Sequence, residues 1–194
     1  MNSRPNITFD EAHTLTSIVG LGSNLDSKYG SKLDIMRKAV KALGKLSSQP
    51  CIASSVYQSE PEGCPPDSPL FVNSVVVLFL PVNTELKRFF LCIQRLEEKL
   101  GRVRSGIGNE PRTIDLDLLF FGNFSFSSDS LNIPHPRALE RRFVLEPLSE
   151  IAPNLVLPGQ KFSVQQLLDD LPQREWVRKL QEGQINDAKG EENM

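Results

Sequence analysis

The order in which apolar patterns succeed one another leaves this chain few folds. Thr16–Leu21 (TSIVGL) has the β-branched content of a buried strand, and GSN follows it as a turn. Leu33, Met36, Val40 and Leu43 recur at helical steps, which predicts a helix from Ser31 to Leu46 with one apolar face. Cys51–Tyr57 reads as a second strand and Phe71–Leu80 (FVNSVVVLFL) as a third, ended by Pro81. Asn83 is placed to cap a helix with Glu85 in its first turn. Leu86, Phe89, Phe90, Ile93, Leu96 and Leu100 form that helix's stripe, and Gly101 stops it. Thr113–Phe121 (TIDLDLLFF) is a fourth strand.

Strand, helix, strand, strand, helix, strand is the ferredoxin-like βαββαβ order. It implies an α+β sandwich, an antiparallel sheet with helices packed on one face. Further on, NIPHPR is a proline-fixed loop, Arg142–Glu150 a short helix, and Phe162 to Glu182 carries weaker helical patterning, so extra C-terminal helices are expected. The last dozen residues, GQINDAKGEENM, are polar and are expected to be disordered. Between the second and third strands lies SEPEGCPPDSPL, whose four prolines and one glycine stiffen a surface loop able to close on something. There is no internal repeat.

A chain of 194 residues, 39% of them hydrophobic, can bury one real core. With 22 Lys and Arg against 24 Asp and Glu it has no general positive coat, which argues against a nucleic-acid partner. The first fifteen residues have no continuous apolar stretch of the secretory kind, and no segment is long and apolar enough for a membrane. Cys51, Cys64 and Cys92 are odd in number and scattered, as reduced thiols in a cytoplasmic protein would be.

The chemistry is expected on the fourth strand. Residues two apart in a strand share a face, so Ile114, Leu116 and Leu118 point one way and Asp115 and Asp117 the other. Two adjacent carboxylates repel, and aspartate is a poor strand former; divalent cations bound between them would account for both. The bland alternative is a solvated edge face with two chance acids. Arg102 and Arg104 in the preceding loop, and Arg112 just before the first acid, favour a polyphosphate site, since metal ions and guanidinium groups neutralise different phosphate oxygens. Surface pairing of these arginines with Glu97, Glu98 and Glu110 is the competing account, and it would stabilise the fold little. GLGSN at residues 20 to 24 lacks the third glycine of a dinucleotide fingerprint and the GK[ST] of a P-loop, so it reads as a strand-ending turn. His135, held between two prolines, is a candidate donor to phosphate, and Arg137, Arg141 and Arg142 are open between phosphate contacts and a solvated face. An ordinary γ-phosphoryl kinase and a non-catalytic nucleic-acid-binding module also remain open at this point.

Taken together, VGLGSN, LGRVRS, PRTIDLDLLFFGN (111–123) and IPHPRALERRFVLEPLSEIAP (133–153) resemble the 6-hydroxymethyl-7,8-dihydropterin pyrophosphokinases of folate biosynthesis, over a stretch from Ile18 to Pro158. The resemblance implies a ferredoxin-like fold, two Mg²⁺ ions, ATP as co-substrate, and transfer of its β,γ-pyrophosphoryl unit to the pterin alcohol with release of AMP. It implies a catalytic set of Arg102, Arg112, Asp115 and Asp117, the two acids holding both metals. It places Gln94, Glu97, Arg104, Thr113, His135 and Arg141 at the nucleotide, and Ser59, Phe71, Asn73 and Phe143 at the pterin. A flat heterocycle rich in donors and acceptors suits two aromatic faces and an amide edge. The implied organisation is an N-terminal extension (1–15), a pyrophosphokinase domain (16–160) and a C-terminal helical extension with a polar tail (161–194). Partners would be ATP, the pterin, and other enzymes of the folate pathway. The chain departs from the pattern at Asn109 and Glu110, where many relatives carry Trp and Gly, at Gly108, where some carry a basic residue, and at Glu60 and Glu62, which make the proline-rich loop unusually acidic.

Overall fold

A computed structural model describes residues 7–9, 13–103, 110–173 and 176–181. Thr14–Ser23 forms strand β1 and Lys32–Gly44 helix α1. Two short strands, β2 (Ile52–Ala53) and β3 (Tyr57–Ser59), replace the single one expected over Cys51–Tyr57. The long strand β4 (Phe71–Pro81) leads into α2 (Leu86–Lys99) and then β5 (Asp115–Phe121). A small pair, β6 (Phe126–Ser127) and β7 (Asn132–Ile133), precedes a 3-10 turn at Ala138–Glu140, α3 (Arg142–Ile151), α4 (Val164–Asp170) and β8 (Val177–Lys179).

The main sheet runs β5-β1-β4-β3-β8, with β2 also on β4, and every neighbouring pair is antiparallel. Strand β4 is buried along almost its whole length because apolar side chains leave it in both directions. Val76, Leu78 and Leu80 join the core under α1 and α2, while Val75, Val77 and Phe79 join a second core under α3 and α4. Each such side chain contributes about 1.5–3 kcal/mol when fully buried, so neither face can be left to water. This corrects the expectation of helices on one face: α3 and α4 cover the other.

Three further local differences have identifiable causes. The β2–β3 ladder breaks at Ser54, whose hydroxyl, in place of a strand carbonyl, accepts the Val75 N–H at 3.0 Å. Asn83 does not cap α2. The Thr84 N–H closes a turn on the Pro81 carbonyl at 2.9 Å, and the helix starts from Glu85, which makes no side-chain cap bond. The helical pattern expected to Glu182 ends with α4, short of Pro172, and the chain then pairs Val177–Lys179 with the outer edge of β3, Tyr57 opposite Lys179. Helix α1 starts at a capping box that the apolar spacing did not reveal: Asp34 N–H donates to Ser31 Oγ at 3.2 Å and Ser31 N–H to Asp34 Oδ2 at 3.3 Å. Gly101 does end α2, with a left-handed φ of 94°. No helix among the described residues is long and apolar enough to cross a membrane.

Candidate active site

Strand β5 aims its residues as its alternation requires. Ile114, Leu116 and Leu118 enter the core beneath α1 and α2, leaving Asp115 and Asp117 on the opposite face. At Leu119 the strand carries one residue more than β1 can match: Ile18 pairs with Phe120 and Val19 with Leu118. This β-bulge leaves the Leu119 carbonyl free to accept the His135 N–H at 2.9 Å, so the irregularity that ends the acid pair's stretch also docks the NIPHPR loop beside it.

As the sheet's edge, β5 has outward backbone groups with no strand partner. Helix α2 and the turn after it supply partners instead. Glu97, only 2% exposed, accepts the Leu116 N–H at 2.9 Å, and Arg102 donates to the Ile114 carbonyl at 3.1 Å. The family resemblance places both residues at ligands; the structure also uses both to hold the strand that bears the acids.

Three arginines surround the pair. Arg112 Nε lies 2.8 Å and Arg102 Nη2 3.7 Å from the Asp115 carboxylate, and Arg141 Nη1 lies 3.8 Å from that of Asp117. The Arg112 guanidinium also sits 5.2 Å above the Phe71 ring and that of Arg141 5.3 Å above the Phe143 ring. Asp117 has protein around it on most sides while its carboxylate still opens to the cleft. That enclosure, and then the charge of Asp115, push its pKa up to about 6 against the pull of Arg141, Arg112 and Arg102. A carboxylate held with a like-charged neighbour at this cost suits a bound cation, and the donor set is that of a hard divalent metal. Among the described residues no group of three or more His, Cys, Asp or Glu could hold a metal, so ligands beyond the pair would come from substrate phosphate and water.

Asp115 and Asp117 form a wall shared by two cavities. The first is lined by Ser59, Glu60, Glu62, Cys64, Phe71, Asn73, Arg112, Arg141 and Phe143. Its floor is β1, where Gly20 and Gly22 leave room: a Cβ on Gly22 would project among Asn73, Phe71 and Asp115 at 3.6–3.9 Å. Asn73, buried on the central strand, donates to Ser59 Oγ at 2.9 Å, and its carbonyl oxygen faces that floor. The second cavity is a groove lined by Phe90, Gln94, Glu97, Asp129 and His135. His135 Nδ1 accepts the Arg137 N–H at 3.3 Å, which leaves Nε2 to carry the proton as donor. Burial first, then the Arg141 and Arg137 charges, lower its pKa to about 4, so it stays neutral near pH 7.

All four pterin-side candidates thus share one cavity and three nucleotide-side candidates, Gln94, Glu97 and His135, the other. Arg141, placed with the nucleotide, lines the first cavity while touching the acid that divides them. Thr113 Oγ1 is buried without a partner among the described residues and lines neither cavity. Arg104, Gly108 and Asn109 lie outside the described residues. Reading GLGSN as a mere turn missed two roles: its glycines floor the cavity, and Asn24 is bonded to the Arg112 segment.

A model of the 7,8-dihydro-6-hydroxymethylpterin-pyrophosphokinase family matches residues 18–153. The chain belongs to that family. It is 39% identical over 150 residues to the 2-amino-4-hydroxy-6-hydroxymethyldihydropteridine pyrophosphokinase of Haemophilus influenzae, covering 76% of this chain and 88% of that one. The Synechocystis pyrophosphokinase is 36% identical over 159 residues, covering 80% and 75%. Pea has a mitochondrial folate synthesis bifunctional protein that is 35% identical over 136 residues, 69% of this chain and 24% of that one. The fold is that of the wild-type Plasmodium falciparum HPPK-DHPS structure with STZ-DHP, at a TM-score of 0.61 and 16% identity, over 83% of this chain but 44% of that one. Membership decides among the readings left open by the residues: this pyrophosphokinase transfers a pyrophosphoryl group to hydroxymethyldihydropterin in folate synthesis.

Proposed function

We propose that the enzyme takes the β,γ-pyrophosphoryl group of ATP, bound along the groove of Gln94, Glu97 and His135, and passes it to the hydroxymethyl oxygen of a pterin held between Phe71 and Phe143. The observation that carries this reading is the shared wall: the same two carboxylates border both an aromatic slot and a polar groove. Two Mg²⁺ ions on Asp115 and Asp117 would neutralise the phosphate oxygens and draw charge from the reacting centre. Arg102 and Arg112 hold Asp115 in place and present guanidinium to the transferring group; Arg141 does the same from the other side. Neutral His135 offers an Nε2–H to a phosphate oxygen. Ser59 and the Asn73 amide meet the polar edge of the pterin. As the pterin oxygen–Pβ bond forms, the bond from Pβ to the oxygen of AMP breaks, and the alcohol proton is lost to water.

The strand order and wholly antiparallel pairing support reading the fold as ferredoxin-like, with β8 added at one edge and α3 and α4 on the second face. Three cysteines outside any disulfide support a reducing, cytoplasmic setting. Relatives that carry this domain within longer folate-synthesis proteins support other enzymes of that pathway as partners. Incubation with ATP, Mg²⁺ and 6-hydroxymethyl-7,8-dihydropterin tests the chemistry: AMP is the expected nucleotide product, and ADP would overturn the reading.

A further inference from the structure

The proline-rich loop between β3 and β4 is clipped to the body of the protein at several points. Glu60 Oε2 accepts the Trp176 N–H at 3.3 Å, the Pro69 carbonyl accepts from Asn24 at 3.3 Å and the Leu70 carbonyl accepts from Lys32 at 3.0 Å. These clips lie at the two ends of the loop. A further one is at the site itself: Glu62 Oε2 lies 3.4 Å from Arg141 Nε. Arg141 therefore spans two acids, Glu62 on the loop and Asp117 on β5, with only 12% of its side chain exposed.

A nearly buried guanidinium whose charge is already balanced by two carboxylates attracts a phosphate less strongly than it would with one of them withdrawn. Asp117 belongs to a paired strand and cannot leave; Glu62 sits on a loop between β3 and β4 and can swing away. We propose that Glu62 sets nucleotide affinity: its carboxylate is the counter-ion that incoming phosphate oxygens displace from Arg141, so nucleotide binding releases the clip that holds the loop over the aromatic cavity. This deepens the functional reading above and rests on it. Glu62 lines the first cavity, so its release also alters the wall that the pterin meets.

The test compares wild type, Glu62→Gln and Glu62→Asp by calorimetric titration with the Mg²⁺ complex of α,β-methylene-ATP, which the enzyme cannot cleave. Removing the competing charge is expected to tighten binding about fivefold in Glu62→Gln, the scale of a part-exposed ion pair. Glu62→Asp, which keeps the charge, should stay within about twofold of wild type on the same scale. Equal or weaker binding by a Glu62→Gln variant that melts at the wild-type temperature would overturn the proposal. AMP formation by wild type separates the two ideas: AMP with unchanged Glu62→Gln affinity removes the clip and leaves the function standing. A wild type that does not bind the analogue removes both.

Discussion

The side-chain oxygen of Asn24 accepts the backbone N–H of Arg112 at 2.7 Å, and the Arg112 carbonyl accepts the Asn24 N–H in return at 3.0 Å. Asn24 is 3% exposed, and its amide nitrogen reaches the Pro69 carbonyl as well. One buried amide thus registers the arginine segment against the end of the proline-rich loop. We predict that Asn24→Ala lowers kcat by about tenfold or more by letting Arg112 shift. Asn24→Asp keeps the oxygen that Arg112 uses but not the donor to Pro69, so it should retain most of kcat while raising the pterin KM. Steady-state kinetics with AMP detection reads both, and wild-type parameters in the alanine variant would refute the staple.

Asp117→Asn should leave the fold intact and reduce turnover about a hundredfold, the scale on which one preorganised charge contact acts. Its melting temperature should be no lower than wild type, because a costly ionised neighbour of Asp115 has been removed. Turnover that survives at saturating Mg²⁺ would dismiss the metal role.

Acid should act on the two cleft groups in opposite senses. The carboxyl of Asp117 has a folded pKa of about 6 against 3.8, so as pH falls through that window the folded chain gains a proton the unfolded chain does not, and stability is gained. For His135 the folded value is about 4 against 6.5, so stability is lost as pH falls across that interval. Thermal melts between pH 4 and 6.5 should therefore show a steeper loss in Asp117→Asn and a shallower one in His135→Asn than in wild type. Parallel curves for all three would contradict the assignments.

Removing the Glu97 carboxylate orphans the Leu116 N–H inside the protein. Glu97→Ala is expected to cost about 2–3 kcal/mol in denaturant unfolding, with Glu97→Gln recovering much of it through its amide oxygen. A loss under about 0.5 kcal/mol, the range of neutral surface changes, would mean that the edge strand does not depend on this bond.

Much of this architecture could be read from residue patterns alone, for physical reasons. Elements long enough to repeat a period, such as α2 with its stripe from Leu86 to Leu100, declare themselves, as does the two-residue alternation that separates Asp115 and Asp117 from Leu116 and Leu118. Short strands carry no such period: β2, β3 and β8 are defined by which neighbour has a free edge, and Ser54 breaks its ladder with a side-chain bond that no propensity encodes. Contacts between distant segments were equally hidden. By sequence Glu62 is an excess negative charge in a loop and Asn24 is turn punctuation; only the fold sets Arg141 beside the first and two distant partners beside the second.

The surplus residue at Leu119 has a bearing on chain length that no point substitution would disclose. Strict alternation from Asp117 would send Phe121 to the acid face and Phe120 beneath α1 and α2; the bulge exchanges them, so each ring lies in the core that fits it. Remove Leu119 and regular alternation from Asp117 would keep both rings where they are, but the carbonyl that receives the His135 N–H would go with it. What a one-residue deletion there would cost is the anchorage of the histidine loop, with the packing of both rings preserved.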